Sequence, residues 1–198
     1  YEAVLKIRGK KGTTVELEIL RPGAKNAMKV KVVRDEIPIE TVYEAVKTYD
    51  GKKAGYLQIT SFSENTAADF KKKLAKLEAE KIDGLIIDVR GNPGGYLQSI
   101  EEILKDLVPK HKPYVQIEER NGDKQKFYSD ITEKKPYPIV VLIDKGSASA
   151  SEILAGAMKE AGGYKLVGET TFGKGTVQQA IPMGDGSNIK LTLYKWLT

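Results

Sequence analysis

The sequence predicts an α/β fold assembled from repeated strand–loop–helix units. Three observations predict it. Two continuous apolar runs, Gly84–Val89 and Pro138–Ile143, have the composition of strands buried on both faces of a parallel sheet. Each run ends in a loop rich in small residues, Arg90–Gly95 in the first case and Gly146–Ser151 in the second. Each loop leads into apolar residues at helical spacing: Ile100, Ile103, Leu104 and Leu107, then Ile153, Leu154, Ala157 and Met158.

The other elements follow from local pattern. Val15, Leu17 and Ile19 alternate with Glu16 and Glu18, and Met28, Val30 and Val32 alternate with Lys29 and Lys31. The turn signal Arg21-Pro22-Gly23 lies between them, so residues 1–34 read as a small module holding two half-buried antiparallel strands. Two strands do not make a stable sheet alone, so this module is expected to begin before residue 1. Residues 35–48, with Pro38, read as a connector leading into Thr41-Val42-Tyr43. Ala54–Ile59 reads as a strand. Residues 65–80 read as a helix with Ala67, Phe70, Leu74 and Leu77 on one face. Tyr164–Val167, Val177–Pro182 and Ile189–Tyr194 read as further strands.

Composition removes several kinds of chemistry. The 198 residues include no cysteine and one histidine, His111. A thiol nucleophile, a disulfide scaffold and a metal site built from several histidines are therefore excluded. His111 lies in Pro109-Lys110-His111-Lys112-Pro113, a polar loop, and is expected at the surface. No window approaches the roughly 20 apolar residues of a membrane span. The net charge is +5, and lysines are interleaved with glutamates, as in Lys71-Lys72-Lys73 with Glu78 and Glu80. That pattern describes a solvated surface, with no nucleic-acid face expected.

Chemistry concentrates after the two apolar runs. In open α/β sheets, sites gather where loops leave the carboxyl ends of strands. Helix starts there offer free N–H groups and a positive dipole end, which suit an oxyanion. Ser147, Ser149 and Ser151 all lie near such a start. Ser149 followed by Glu152 fits a capping box, so spacing alone leaves both capping and catalysis open. Without thiols, a hydroxyl nucleophile needs a base from elsewhere, and Lys174 in its glycine-rich segment is the candidate. Lys174 has a rival reading. Gly168–Lys174 matches the first seven positions of a phosphate-binding loop, but Gly175 stands where a hydroxyl should follow, and the next residues are strand-like. Asp88 and Asp144 end buried strands and read as loop-orienting residues. Trp196 reads as packing.

Three segments together carry a resemblance. Asp88-Val-Arg-Gly-Asn-Pro-Gly-Gly95, Gly146-Ser-Ala-Ser-Ala-Ser-Glu152 and Gly168-Glu-Thr-Thr-Phe-Gly-Lys-Gly-Thr-Val-Gln-Gln179 resemble, in order and spacing, the carboxyl-terminal processing (tail-specific) serine proteases. The resemblance covers the whole chain. Residues 1–34, including Ile7-Arg8-Gly9-Lys10-Lys11-Gly12-Thr13, are similar to the last part of that family's PDZ domain. It implies a crotonase-like protease core over 35–198, preceded by the C-terminal part of a PDZ domain. It also implies further core strands beyond Thr198.

The resemblance assigns Ser149 as nucleophile, Lys174 as general base and Gln178 as the residue orienting the lysine. It places an oxyanion hole at the backbone N–H groups of Gly94, Gly95 and Ala150. Glu152 and Thr171 become supporting residues, and Arg8 a PDZ gating contact. A lysine amine ordinarily titrates near pH 10.4, so this role requires desolvation to favour its neutral form. The implied substrates are proteins or peptides bound through their C-terminal ends, with no metal and no organic cofactor. Full-length relatives are expected outside the cytoplasm, secreted or held by an N-terminal membrane anchor, and as homodimers. A catalytically silent PDZ-containing peptide-binding module is the alternative.

Overall fold

The computed structural model of the chain describes residues 2–36, 39–119 and 121–197. Its contacts divide it into two units, Tyr1–Ile39 and Glu40–Thr198.

The first unit opens with a short helix, α1 (Glu2–Ile7). The sequence reading did not anticipate it, because six residues are too few to display a helical period. Strands β1 (Thr14–Ile19) and β2 (Met28–Val33) then pair antiparallel, Thr14 opposite Val33 and Ile19 opposite Met28. The Arg34 guanidinium closes the unit, with Nε donating to the Ile7 carbonyl (2.7 Å) and a terminal nitrogen to Thr13 Oγ1 (2.9 Å). Pro38, expected in the connector, lies outside the described residues.

The second unit begins with a correction. The expected connector contains a strand, β3 (Val42–Tyr49), which pairs antiparallel with β4 (Lys52–Ile59) across the turn at Asp50-Gly51. Both turn residues have positive φ, 50° and 73°, as the two-residue hairpin turn requires. Helix α2 (Thr66–Ala79) leads to β5 (Gly84–Asp88), and α3 (Leu97–Leu104) follows the glycine loop. Leu107, expected on that helix, is buried just beyond its end. Two short strands, β6 (Val115–Glu118) and β7 (Lys124–Phe127), precede β8 (Ile139–Ile143), α4 (Ala150–Glu160) and β9 (Lys165–Gly168). The chain closes with β10 (Thr176–Pro182) and β11 (Asn188–Leu197).

Strands β3-β4-β5-β8-β9 form one sheet in that order, and β4, β5, β8 and β9 run parallel. Parallel strands laid down sequentially with right-handed crossovers put their helices on a single face. The burial agrees. Leu57, Ile59, Leu85, Ile87, Ile139 and Val141 are buried on the helix side, while Tyr56, Ile86 and Val140 on the other side are only half-buried. The apolar runs were expected to be buried on both faces; a single covered face is what the topology produces. Phe70, Leu74 and Leu77 of α2, Ile100 and Ile103 of α3, and Leu154 and Met158 of α4 complete this core. A second, antiparallel sheet has the order β10-β11-β6-β7, and Trp196 of β11 lies opposite Ile117 of β6.

Candidate active site

The parallel arrangement gathers four strand ends at one edge. Ile59 leads to Ser61-Phe62, Asp88 to the glycine loop, Ile143 to the serine turn and Gly168 to the lysine loop. A cleft of about 530 Å³ opens there, lined by Gly94 and Gly95, by Ser149 and Ala150, and by Lys174 and Gln178.

The glycine loop is positioned by a buried amide. Asn92 is fully buried; its Nδ2 donates to the Ile59 carbonyl (2.8 Å), and its Oδ1 accepts the Gly94 N–H (2.8 Å). Its carbonyl accepts from Ala148 N–H (3.0 Å) and from Ser151 Oγ (2.9 Å), which docks the loop on the serine turn. Glycine is required here by space. A Cβ on Gly95 would fall 2.0 Å from the Phe62 carbonyl oxygen, and one on Gly94 would fall 2.8 Å from that of Ala148. The Gly94 N–H, expected in the oxyanion hole, is already engaged by Asn92. Among the described residues, the N–H groups of Gly95 and of Ala150, the first residue of α4, remain without an acceptor.

The three serines separate cleanly. Ser147 is fully buried and donates to the Val89 carbonyl (2.8 Å), and Ser151 is fully buried on Asn92. Ser149 alone of the three lines the cleft. Its φ of 54° and ψ of −113° match the first central position of a type II′ turn, where glycine is usual. Asp144 shapes the approach to this turn, accepting from the N–H groups of Gly91 (2.8 Å) and Gly146 (2.9 Å), which hold its carboxyl below the usual range.

Glu152 joins the serine turn to the lysine loop. Its Oε2 accepts the N–H groups of Ser149 and Lys174, both at 2.8 Å, and its Oε1 accepts that of Gly173 (2.5 Å). Burial pushes this carboxyl up, but the Gly173 and Lys174 N–H donors, with the Thr171 hydroxyl and Ser149 N–H, pull it below the ordinary glutamate value. Phe172 N–H donates to the Ser147 carbonyl (3.0 Å), a further tie between the two loops. Lys174 is half-buried. The Gln178 amide donates to Thr192 Oγ1 (3.2 Å), so it lines the cleft without bonding the lysine as expected. After Lys174 the chain enters strand β10 and not a helix, which removes the phosphate-loop reading. Arg8 is exposed in the first unit, and His111 is exposed as expected.

The sequence profile of peptidase family S41 matches residues 53–198, well over half of the chain. The chain belongs to peptidase family S41. It is 65% identical over 196 residues to the carboxy-terminal processing protease CtpB of Bacillus subtilis, covering 99% of this chain and 41% of that protein. It is 46% identical to CtpA of the same organism, covering 100% and 41%. Among solved structures, the photosystem II D1 C-terminal processing protease superposes with a TM-score of 0.71 at 29% identity, over 96% of this chain and 52% of that one. The chain thus spans about two fifths of the length of these curated relatives.

Two residues of this S41 core do more than the sequence indicates. Asn92 was visible only as part of a motif, although a buried Asn between two loops is a recurrent turn-orienting device. Trp196 packs against the core, as expected, and does more. Its indole N–H donates to the Lys174 carbonyl (3.0 Å), its backbone N–H to the Gly175 carbonyl (3.2 Å), and its ring lines the cleft. Nothing local in the sequence signals that role, because it depends on β11 folding back beside the lysine loop. Asp88 is an orienting residue, paired with Arg90 (2.6 Å) and accepting from Tyr56 Oη (2.7 Å).

Proposed function

We propose that this chain is the catalytic part of a serine endopeptidase that cleaves proteins recognised near their C-termini. One observation carries the reading: of the three serines in the turn, Ser149 alone lines the cleft, and Lys174 lines the same cleft. Ser149 Oγ attacks the scissile carbonyl carbon and passes its proton to the neutral Lys174 amine. A bond forms between Oγ and carbon, and the oxyanion is received by Gly95 and Ala150 N–H. The C–N bond then breaks as the Lys174 ammonium protonates the leaving amine. Water, deprotonated by Lys174, cleaves the acyl-enzyme and restores Ser149. Gln178 borders the lysine without adding charge. Glu152 and Thr171 keep the two loops in register.

The remaining assignments extend this proposal to the whole protein. The core has the crotonase-like form, and residues 1–34 are the end of a PDZ domain that binds substrate C-termini and gates the cleft, with Arg8 at the gating contact. The protein acts outside the cytoplasm, anchored at its N-terminus and paired as a homodimer. No metal or organic cofactor has a part in the reaction.

The test is cleavage of an unstructured protein by the full-length enzyme, with products identified by mass spectrometry. Ser149→Ala and Lys174→Ala should both abolish cleavage while remaining folded. Undiminished cleavage by Lys174→Ala would show that the base is another group. A wild type that cleaves nothing, even with a PDZ-binding peptide present, would leave the peptide-binding module as the function.

A further inference from the structure

The cleft carries more positive charge than the dyad needs. Its lining includes Lys190, a second lysine beside Lys174, whose amine serves as the neutral base, and no carboxylate. Among the described residues, neither lysine is ion-paired. Two helices also begin at its wall, α3 at Leu97 and α4 at Ala150, and their positive ends add to the field. The Glu152 carboxylate is buried and turned onto backbone N–H groups, so it is not presented to the cleft as a partner for a bound peptide.

The position of Lys190 is fixed by strand register. Gln178 lies opposite Thr192 and Ala180 opposite Lys190, so these residues share one face of the β10–β11 hairpin. The bond from Gln178 to Thr192 confirms that face. Lys190 therefore stands one row beyond Gln178, about 7 Å further along the strands. An extended peptide advances about 3.3 Å per residue, so that row corresponds to about two peptide residues.

Resting on the peptidase reading above, we infer that Lys190 is a specificity-determining residue that recognises a carboxylate on the bound peptide. That carboxylate is either an Asp or Glu side chain near the scissile bond or the peptide's own chain end. Lys190 is exposed, so the preference it confers is modest, about five-fold in kcat/KM, and sensitive to salt.

The test uses the full-length protein and fluorogenic peptides with amidated C-termini. One Asp is moved through the positions flanking the scissile bond, each peptide having an Asn twin. At one position the Asp peptide should be preferred about five-fold over its twin at low salt, and about 0.5 M salt should erase the preference. Lys190→Met should bring the ratio to about one, Lys190→Glu should invert it, and Lys190→Arg should keep it. Peptides shortened to end at that position, as free acid or amide, distinguish a chain end from a side chain. A flat Asp scan in the wild type, with the Asn peptides still cleaved and the shortened free-acid and amide peptides cleaved equally, would overturn this inference and leave the peptidase intact. So would an Asp preference that survives both high salt and Lys190→Met. Failure to cleave any peptide, even with a PDZ-binding peptide present, would remove the peptidase reading and this one with it.

Discussion

Replacing Glu152 with glutamine isolates what its charge does, because shape and volume are nearly kept. The carboxylate accepts three backbone N–H groups, from Ser149 and Lys174 on one oxygen and from Gly173 on the other. An amide has one acceptor oxygen. Its best orientation keeps that oxygen on Ser149 and Lys174 and turns its own N–H₂ toward the Gly173 N–H, which lies 2.5 Å from Oε1. One charge-assisted bond is lost to a donor–donor contact, and two become neutral. A bond to a charged acceptor contributes about 1.5–3 kcal/mol and a neutral one about 1, so Glu152→Gln should cost about 2.5–7 kcal/mol of stability. The same shift displaces the Lys174 backbone relative to Ser149, and kcat should fall about 10- to 100-fold. Urea unfolding measures the first, and peptide cleavage under saturating substrate the second. The pH dependence has a definite sign. The folded carboxyl titrates below the ordinary value of 4.5, so its stabilisation is complete above that value and declines as pH falls through the folded one. The wild-type advantage over Glu152→Gln should therefore be flat in neutral buffer and shrink in acid. An unchanged urea midpoint with kcat within two-fold of wild type would refute the bridging role.

Other substitutions test the remaining joints. Gly95→Ala places a methyl group 2.0 Å from the Phe62 carbonyl at a φ of 146°, and should abolish cleavage with a drop in thermal midpoint. Asn92→Ala removes the amide bonds to Ile59 and Gly94 in a fully buried setting, and should cost about 2–4 kcal/mol in urea unfolding. Trp196→Phe keeps most of the ring surface but loses the indole N–H on the Lys174 carbonyl; kcat should fall several-fold, with stability in urea unfolding changing by no more than about 1 kcal/mol.

Most of the second unit was legible because its period signals are strong. Phe70, Leu74 and Leu77 announce α2, and the runs before Asp88 and Asp144 announce β5 and β8. The strands that were missed are β3, β6 and β7. Each had a readable cue in its turn: Asp50-Gly51 follows β3, and Asn121-Gly122 lies between β6 and β7, both favoured hairpin dipeptides. The serine turn was legible as a helix start but ambiguous as to which serine matters. That ambiguity is resolved by tertiary placement, since Ser147 and Ser151 are held by the Val89 and Asn92 carbonyls, partners far away in sequence. The Gly94 N–H was misjudged for a similar reason, because its acceptor is a side chain whose orientation depends on the end of β4.

The same logic explains why Ser149 can occupy a backbone region that serine ordinarily avoids. Its φ of 54° and ψ of −113° suit glycine, and holding another residue there costs about 1–3 kcal/mol. The surrounding bonds over-determine it. Ser149 N–H is held by Glu152, its carbonyl accepts from the N–H groups of Glu152 (2.9 Å) and Ile153 (3.1 Å), and Ala148 N–H is held by Asn92. Strain of this kind aims the hydroxyl into the cleft at the expense of stability, and two variants separate these effects. Ser149→Ala deletes the hydroxyl but keeps the strained backbone. Ser149→Gly deletes the hydroxyl and relieves the strain, at a cost of up to about 1 kcal/mol from the greater freedom of the unfolded chain. Relief should exceed that cost, so Ser149→Gly should be more stable than Ser149→Ala by about 0.5–2 kcal/mol in urea unfolding, with both inactive. If Ser149→Gly is the less stable of the two, the serine is unstrained, and the turn's geometry must be set by the sequence around it and not by Glu152 and Asn92.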